Sequence, residues 1–345
     1  MADKLLLLAL KSRPKKLSLC NKNLEFIPKI IGKLDCICQL QLKNNKIKTL
    51  PEEFITLYKL QSLNLGNNEF EEFDSVFQHL ESLQRLHLFG NKIMSINGNL
   101  LIGLKNLTFL NLNGNKLRTL PKEICNLSSI QDLSIDNNLL TDLPVEFCAL
   151  ISLKEFHAAG NKLISLPLEF GYLINLEKLF LQQNKIRELP ESLGKCYKLH
   201  FLDVAANELR IFPTELTNLP LTELFCEENP LLQNVPVHSV QEEEILSLKE
   251  LCARFVMEEL KDRLSPLRKA LRYYPDVRYM LTQSSKCAVC SHAFLNTWLE
   301  CVKFIDAKKD LKLGSCSGSI PVRALLCSYK CFNAAGHGFF GVAFP

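Results

Sequence analysis

The 345-residue sequence has one tryptophan and four methionines, and it lacks the stretches that mark the commoner chemistries. No apolar run approaches the roughly 20 residues that cross a bilayer. Residues 5–10 are apolar, but Lys11, Arg13, Lys15 and Lys16 follow them where a signal peptide would place small cleavage-site residues, so neither an anchor nor a leader is expected. There is no Gly-x-Gly-x-x-Gly, no Walker sequence and no Gly-x-Ser-x-Gly, and the seven histidines form no pair at metal or triad spacing. Dinucleotide, nucleotide and serine-hydrolase chemistry are therefore not expected, and the chain reads as no enzyme. Net charge is only +4, and the basic residues are scattered without interleaved aromatic platforms, which argues against nucleic acid. No cysteine-dense cap brackets the chain. Most of the fourteen cysteines sit singly in apolar slots, as reduced thiols do, so a cytoplasmic location is expected, with the nucleus also open.

What the sequence does have is repetition. Between residues 17 and 236 a pattern close to L-x-x-L-x-L-x-x-N-x-L-x-x-L-P is written about ten times with a period of 23 residues. Asparagine marks the period at Asn45, Asn68, Asn91, Asn115, Asn138, Asn161, Asn184, Asn207 and Asn229, with Lys22 in the first copy's slot. Each L-x-L pair, such as Leu40 and Leu42, puts both leucines on one face of a short strand because side chains alternate. One copy cannot bury that face alone, so copies must stack into a coil with a parallel sheet on its concave side. The asparagine stands where the chain leaves the strand and can bond the backbone of its own and neighbouring turns. Proline opens most convex segments, and the copies ending near Phe73 and Ile96 lack it, so the convex side is expected to be irregular there. Residues 1–16 read as a capping helix.

Side chains between the leucines are left out of the core. On the concave face they include His87, Phe89, Phe109, His157, Phe180, Phe201 and Phe225, the candidate contacts for a protein client. Phe180, Phe201 and Phe225 fall on three successive copies, rimmed by Asp203, Glu223, Glu227 and Glu228. Either a client or the chain's own C-terminal part could cover them.

After Pro236 the period stops, and the charge balance changes. Residues 261–345 carry 13 basic and 5 acidic side chains, against 28 and 32 in residues 1–260. Residues 237–283 read as a helical segment that starts at Ser239 and runs to about Lys261, with further helix starts at Ser265-Pro266 and Tyr274-Pro275. Leu248, Cys252 and Val256 fall at i, i+4 and i+8, an apolar stripe that could cap the last repeat. Residues 284–345 form a small module with Cys287-Ala-Val-Cys290 and Cys327-Ser-Tyr-Lys-Cys331. Two such pairs can present thiolates from two tight turns to a structural zinc ion. Cys301, Cys316 or His292 could replace one of the four, or all could be plain thiols.

These residues carry two resemblances. The repeat, together with Cys226-Glu227-Glu228-Asn229-Pro230-Leu231 and the two cysteine pairs, resembles the small intracellular leucine-rich repeat proteins. That implies an α/β solenoid, a leucine-rich repeat horseshoe, with a small C-terminal helical and cysteine-bearing module. The order Ser247-Leu248-x-x-x-Cys252-x-x-x-Val256 resembles the elongin C-binding box of cullin-RING ubiquitin ligase receptors. It implies that Leu248, Cys252 and Val256 hold elongin C, with elongin B and a cullin as further partners. The alternative expectation is a signalling scaffold, or an adaptor of a phosphatase or GTPase, without a ligase.

Overall fold

The computed structural model describes residues 2–233, 247–295, 299–313, 318–332, 334 and 338–341. The expectations placed on Val235-Pro236, Ser239 and Cys316 lie outside them. The chain divides into two compact units, one built mainly from residues 1–209 and 215–230, the other mainly from residues 231–310 and 317–345.

In the first unit every repeat contributes a three-residue strand, from β1 (Lys16–Ser18) and β2 (Gln39–Gln41) through β3 (Ser62–Asn64), β4 (Arg85–His87), β5 (Phe109–Asn111), β6 (Asp132–Ser134), β7 (Glu155–His157), β8 (Lys178–Phe180) and β9 (Phe201–Asp203) to β10 (Glu223–Phe225). The ten strands form one parallel sheet in sequence order. The middle residue of each points inward, and Leu40, Leu63, Leu86, Leu110, Leu133, Phe156, Leu179, Leu202 and Leu224 are fully buried. Full burial of such a side chain contributes roughly 1.5–3 kcal/mol, so the stacked core rather than the short strands holds the coil.

The convex side is made of short 3-10 turns, such as Glu52–Thr56 and Lys122–Asn126, that bury Phe54, Phe77, Phe147 and Phe170 against the leucines. Proline precedes many of them in extended conformation. The irregularity expected where proline is missing is limited to one of the two turns, Gly98–Gly103, while Ser75–His79 keeps the regular five residues. Asp74 and Asn97 stand in the place of proline, and their side chains accept from the N–H groups of Val76 and Asn99, capping Ser75–His79 and Gly98–Gly103. The one-residue-longer copy is absorbed by the second of these turns, which has six residues.

The asparagines join copy to copy. Asn138 Nδ2 donates to the carbonyls of Leu112 and Ile135, both at 3.0 Å, and its Oδ1 accepts from Leu117 N at 3.1 Å. In the first copy Lys22 makes no such bonds; instead its backbone N–H donates to Asn45 Oδ1 at 3.0 Å. The residue before each of these positions has positive φ in all ten copies: Asn21, Asn44, Asn67, Gly90, Gly114, Asn137, Gly160, Gln183, Ala206 and Glu228. Glycine and asparagine are the residues that tolerate this region, which explains Asn21 in the first copy and the Asn-Asn and Gly-Asn pairs of copies two to seven. The N-terminal helix α1 (Ala2–Ser12) packs on the first convex turn, Lys29–Lys33, and buries Leu6 and Ala9.

The second unit begins, among described residues, with α2 (Leu248–Glu259), followed by α3 (Leu267–Ala270) and α4 (Pro275–Thr282). The helix does not run unbroken from Ser239. Ser247 is extended and caps α2, its hydroxyl accepting from Glu250 N. Two short strands, β11 (Ser285–Lys286) and β12 (Ala293–Phe294), then a long hairpin, β13 (Leu299–Asp306) with β14 (Ser319–Leu326), complete the unit with α5 (Tyr329–Phe332) and β15 (Phe340–Gly341). The hairpin was not anticipated, and it gives the cysteine-bearing segment β structure beside the expected helices. Helix α2 packs on β12, which joins the helical segment and the cysteine-bearing segment in one compact unit.

Candidate functional sites

Two aromatic groups stand on the concave face. In the first, on β4 and β5, the His87 ring lies 4.7 Å from Phe109 and 6.4 Å from Phe89, and the Arg85 guanidinium sits 4.6 Å over the Phe109 ring. The His87 pKa is lowered by burial and by Arg85, which favours the neutral imidazole. In the second, His157, Phe180, Phe201 and Phe225 form a ladder across β7 to β10. Consecutive ring centroids are 4.1, 4.6 and 5.6 Å apart, and the first pair is nearly parallel at 8°. The rings are half-buried, mostly against each other, and none lies in the leucine core. The seven residues separate into two clusters and Arg85 belongs to the first, neither of which the sequence shows.

Carboxylates flank the ladder. Glu155 Oε1 pairs with Lys178 Nζ at 2.9 Å, and that hydrogen bond holds its pKa down. Asp132, Asp136 and Asp203 go the other way, because partial burial penalises their charged form more than nearby donors favour it.

On α2 the expected stripe is not what packs. Glu250, Ala253 and Met257 face the unit's interior and Val256 lies at its margin, whereas Leu248 is 76% exposed and Cys252 is exposed. The stripe is therefore not the packed face, and α2 meets β12 with the neighbouring one. Leu251 and Phe255 extend the outward apolar surface. The inward face is fixed by Glu250, only 1% exposed, which accepts from Arg254 Nε at 2.6 Å and from Leu295 N at 3.1 Å, while Arg254 Nη2 donates to the Cys327 carbonyl at 2.8 Å. A glutamate four residues before an arginine is readable in the sequence, but only the fold shows it to be buried.

Cys287, Cys290, Cys327 and Cys331 come together with all four sulfurs within 4.8 Å of one another. The turn between β11 and β12 supplies the first pair, and the end of β14 with α5 supplies the second. Sγ separations of 3.5 Å for Cys290–Cys327 and 3.7 Å for Cys327–Cys331 are far beyond a disulfide bond of about 2.05 Å. Four thiolates about 2.3 Å from a central zinc would lie about 3.8 Å apart, so the donor set fits a tetrahedral ion. Burial pushes the Cys287 thiol up, but N–H groups of Cys290, Cys327 and Val289 donate to its sulfur and bring it down to about 7. Such donors favour a thiolate. Cys301 is buried outside the set, its thiol raised to about 12 by burial, and His292 lies exposed beside Glu258.

The leucine rich repeat family profile matches residues 14–70 and 73–117, and a second leucine rich repeat profile matches residues 175–196. A Xenopus laevis protein called Leucine-rich repeat-containing protein 69 is 60% identical over 343 residues, 99% of each chain. The chain belongs to the leucine-rich repeat-containing protein 69 family. Human and mouse members are 42% and 41% identical over 123 and 126 residues, about a third of each chain. Among solved structures, a TDR receptor is similar over 65% of this chain and 45% of its own at 29% identity, with a TM-score of 0.55. The plant peptide hormone receptor RGFR1 in complex with RGF2 is similar over 59% and 38% at 27% identity, with a TM-score of 0.52. Both agree with a leucine-rich repeat solenoid. No helix among the described residues of this family member is long and apolar enough to cross a membrane.

Proposed function

We propose that this protein is a non-catalytic protein-binding module of the cytoplasm, whose concave face holds a protein client. The observation that carries this reading is the ladder of His157, Phe180, Phe201 and Phe225, four rings kept half-exposed on a surface that the core does not need. His87, Phe89 and Phe109 form a second contact area. The shallow cleft of about 600 Å3, lined by amides and hydroxyls such as Gln61, Ser82, Gln84 and Thr108, puts no carboxylate, imidazole or amine beside those hydroxyls to activate them. RGFR1, solved in complex with RGF2, is a precedent for binding by this architecture. Proximity labelling with the wild-type chain and with a Phe180→Ala, Phe201→Ala variant tests the reading. Clients lost in the variant support it, and an unchanged client set refutes it.

The sharper form makes the protein a substrate receptor of an elongin–cullin ubiquitin ligase. Exposed Leu248 and Cys252 on α2 support that form, since an elongin-type box must present its leucine and cysteine outward. Co-purification of elongins B and C should be lost in a Leu248→Ser, Cys252→Phe variant. If elongins never co-purify, the scaffold or adaptor reading stands instead. The second unit would be stapled by zinc on Cys287, Cys290, Cys327 and Cys331, a structural ion that fixes two turns against the core around Phe294, Ala324 and Leu326. Metal analysis should find about one zinc per chain, absent after Cys290→Ser, Cys327→Ser substitution.

A further inference from the structure

The concave face is divided by charge. Outward positions of β1–β5 and the residues just after them carry Lys16, Lys43 and Arg85 and no carboxylate. The equivalent positions of β6–β10 carry Asp132, Asp136, Glu155, Asp203, Glu223 and Glu227 against the single cation Lys178. Lys178 is occupied by Glu155. Among the described residues, Asp132, Asp203, Glu223 and Glu227 make no ion pair. The acidic half is the half that holds the ring ladder.

The two halves also differ in how their rings are used. In the first, Arg85 already covers Phe109, which shows that this sheet spacing seats a guanidinium over a ring. In the second, no described cation lies over Phe180, Phe201 or Phe225. We propose that repeats six to ten take an extended, arginine-bearing segment of a protein partner, its guanidinium groups lying on the Phe180, Phe201 and Phe225 rings and pairing with the carboxylates beside them. This rests on the concave-face reading above and names the chemistry of the client.

Arginine fits better than lysine because its planar group stacks on a ring and pairs with a carboxylate at once. The ladder spans three inter-strand steps, about 14 Å, which equals two alternate-residue steps of an extended chain lying along it. Three arginines at alternate positions would therefore spread over the length of the ladder. Phosphate-bearing ligands are repelled by the same carboxylates.

The full-length chain is titrated, by fluorescence anisotropy, against a labelled peptide alternating arginine with alanine, and against its lysine and glutamate counterparts. The arginine peptide should bind, more weakly as salt rises, the lysine peptide less well, and the glutamate peptide not at all. Phe201→Ala should weaken binding roughly tenfold, the value of one ring–cation contact, while Tyr172→Ala, which removes an exposed ring from the convex turn Phe170–Tyr172, leaves it unchanged. Glu223 and Glu227 are exposed, so a Glu223→Gln, Glu227→Gln variant keeps its fold and should also weaken binding. Failure of the arginine peptide to bind, equal binding of the lysine peptide, or full binding by the glutamine variant overturns the proposal. Clients that depend on Phe180 and Phe201 but offer no basic segment would overturn it while sparing the concave-face reading. Clients indifferent to those rings would remove both.

Discussion

Replacing Asn138 by alanine should destabilise the solenoid by about 3 kcal/mol, and the figure follows from what each partner loses. Asn138 is 5% exposed, so water cannot take its place. The Leu117 N–H donates to Asn138 Oδ1 and would be orphaned, a loss of about 1–3 kcal/mol. The Leu112 carbonyl also accepts from Asn115, and the Ile135 carbonyl from Asn161, so each would keep one bond and lose one, about 0.5–1 kcal/mol apiece. Asn138→Asp keeps the acceptor but turns a carboxylate toward two carbonyls, so it should be at least as damaging at neutral pH and less so in acid, where the protonated acid donates. Asn229→Ala is the internal control. It removes the same type of bonds at a half-exposed position, where water can replace them, and should lose less. Urea unfolding followed by circular dichroism measures all three, with the slope checked for constancy. An Asn138→Ala loss below about 1 kcal/mol, or one no larger than that of Asn229→Ala, would show that the column is not the joint between copies.

Ala206→Gly should raise stability by about 0.5–1 kcal/mol, read as a shifted urea midpoint, because alanine at φ 54° is strained where glycine is not. Arg254→Ala should remove the cationic partner of buried Glu250, which keeps the Leu295 N–H, and a donor to the Cys327 carbonyl, and destabilise the second unit by about 3 kcal/mol, seen as faster hydrogen exchange in α2. Asp132→Asn bears on pH. The folded-state pKa of Asp132 lies above its ordinary value, so between the two the folded chain holds more protons and stability falls as pH rises, with the penalty complete above the raised value. The variant should therefore be as stable as wild type or more so at neutral pH, with a flatter slope on the acid side, and unchanged pH dependence would refute the assignment.

The fold was legible wherever one residue type has one task. Leucine at alternate positions and asparagine every 23 residues specify the coil without help from anything distant. The convex turn at Asp74 shows the limit of proline as an opening signal, because aspartate caps Ser75–His79 and keeps its length regular, whereas the extra residue after Asn97 does lengthen its turn. The outward stripe of α2 illustrates a different limit. Leu248, Cys252 and Val256 look like a core face by spacing, but the helix is positioned by Glu250 and Arg254, whose burial depends on β12 and on Cys327, distant in sequence. The four cysteines were grouped correctly because metal-type spacing brings its own local turns. The β13–β14 hairpin was missed, since Ile320–Leu326 is buried on both faces and shows no alternation to read.

Local strain gathers in the same repeats as the rings. In the first seven copies the positive-φ position is asparagine or glycine, and in the last three it is Gln183, Ala206 and Glu228. The same stretch holds Asp203, whose carboxylate is penalised by burial, and three phenylalanines left partly in water. Each feature lowers stability by itself, and the first seven copies show that the coil folds well without the first of them. Unfavourable choices concentrated in one region are expected where side chains serve a purpose other than folding. The Ala206 position separates the two purposes. If strain there is tolerated to shape the face beside Phe180 and Phe201, then Ala206→Gly gains stability while weakening client binding, whereas a solenoid with no stake in that surface would gain the stability and keep every partner.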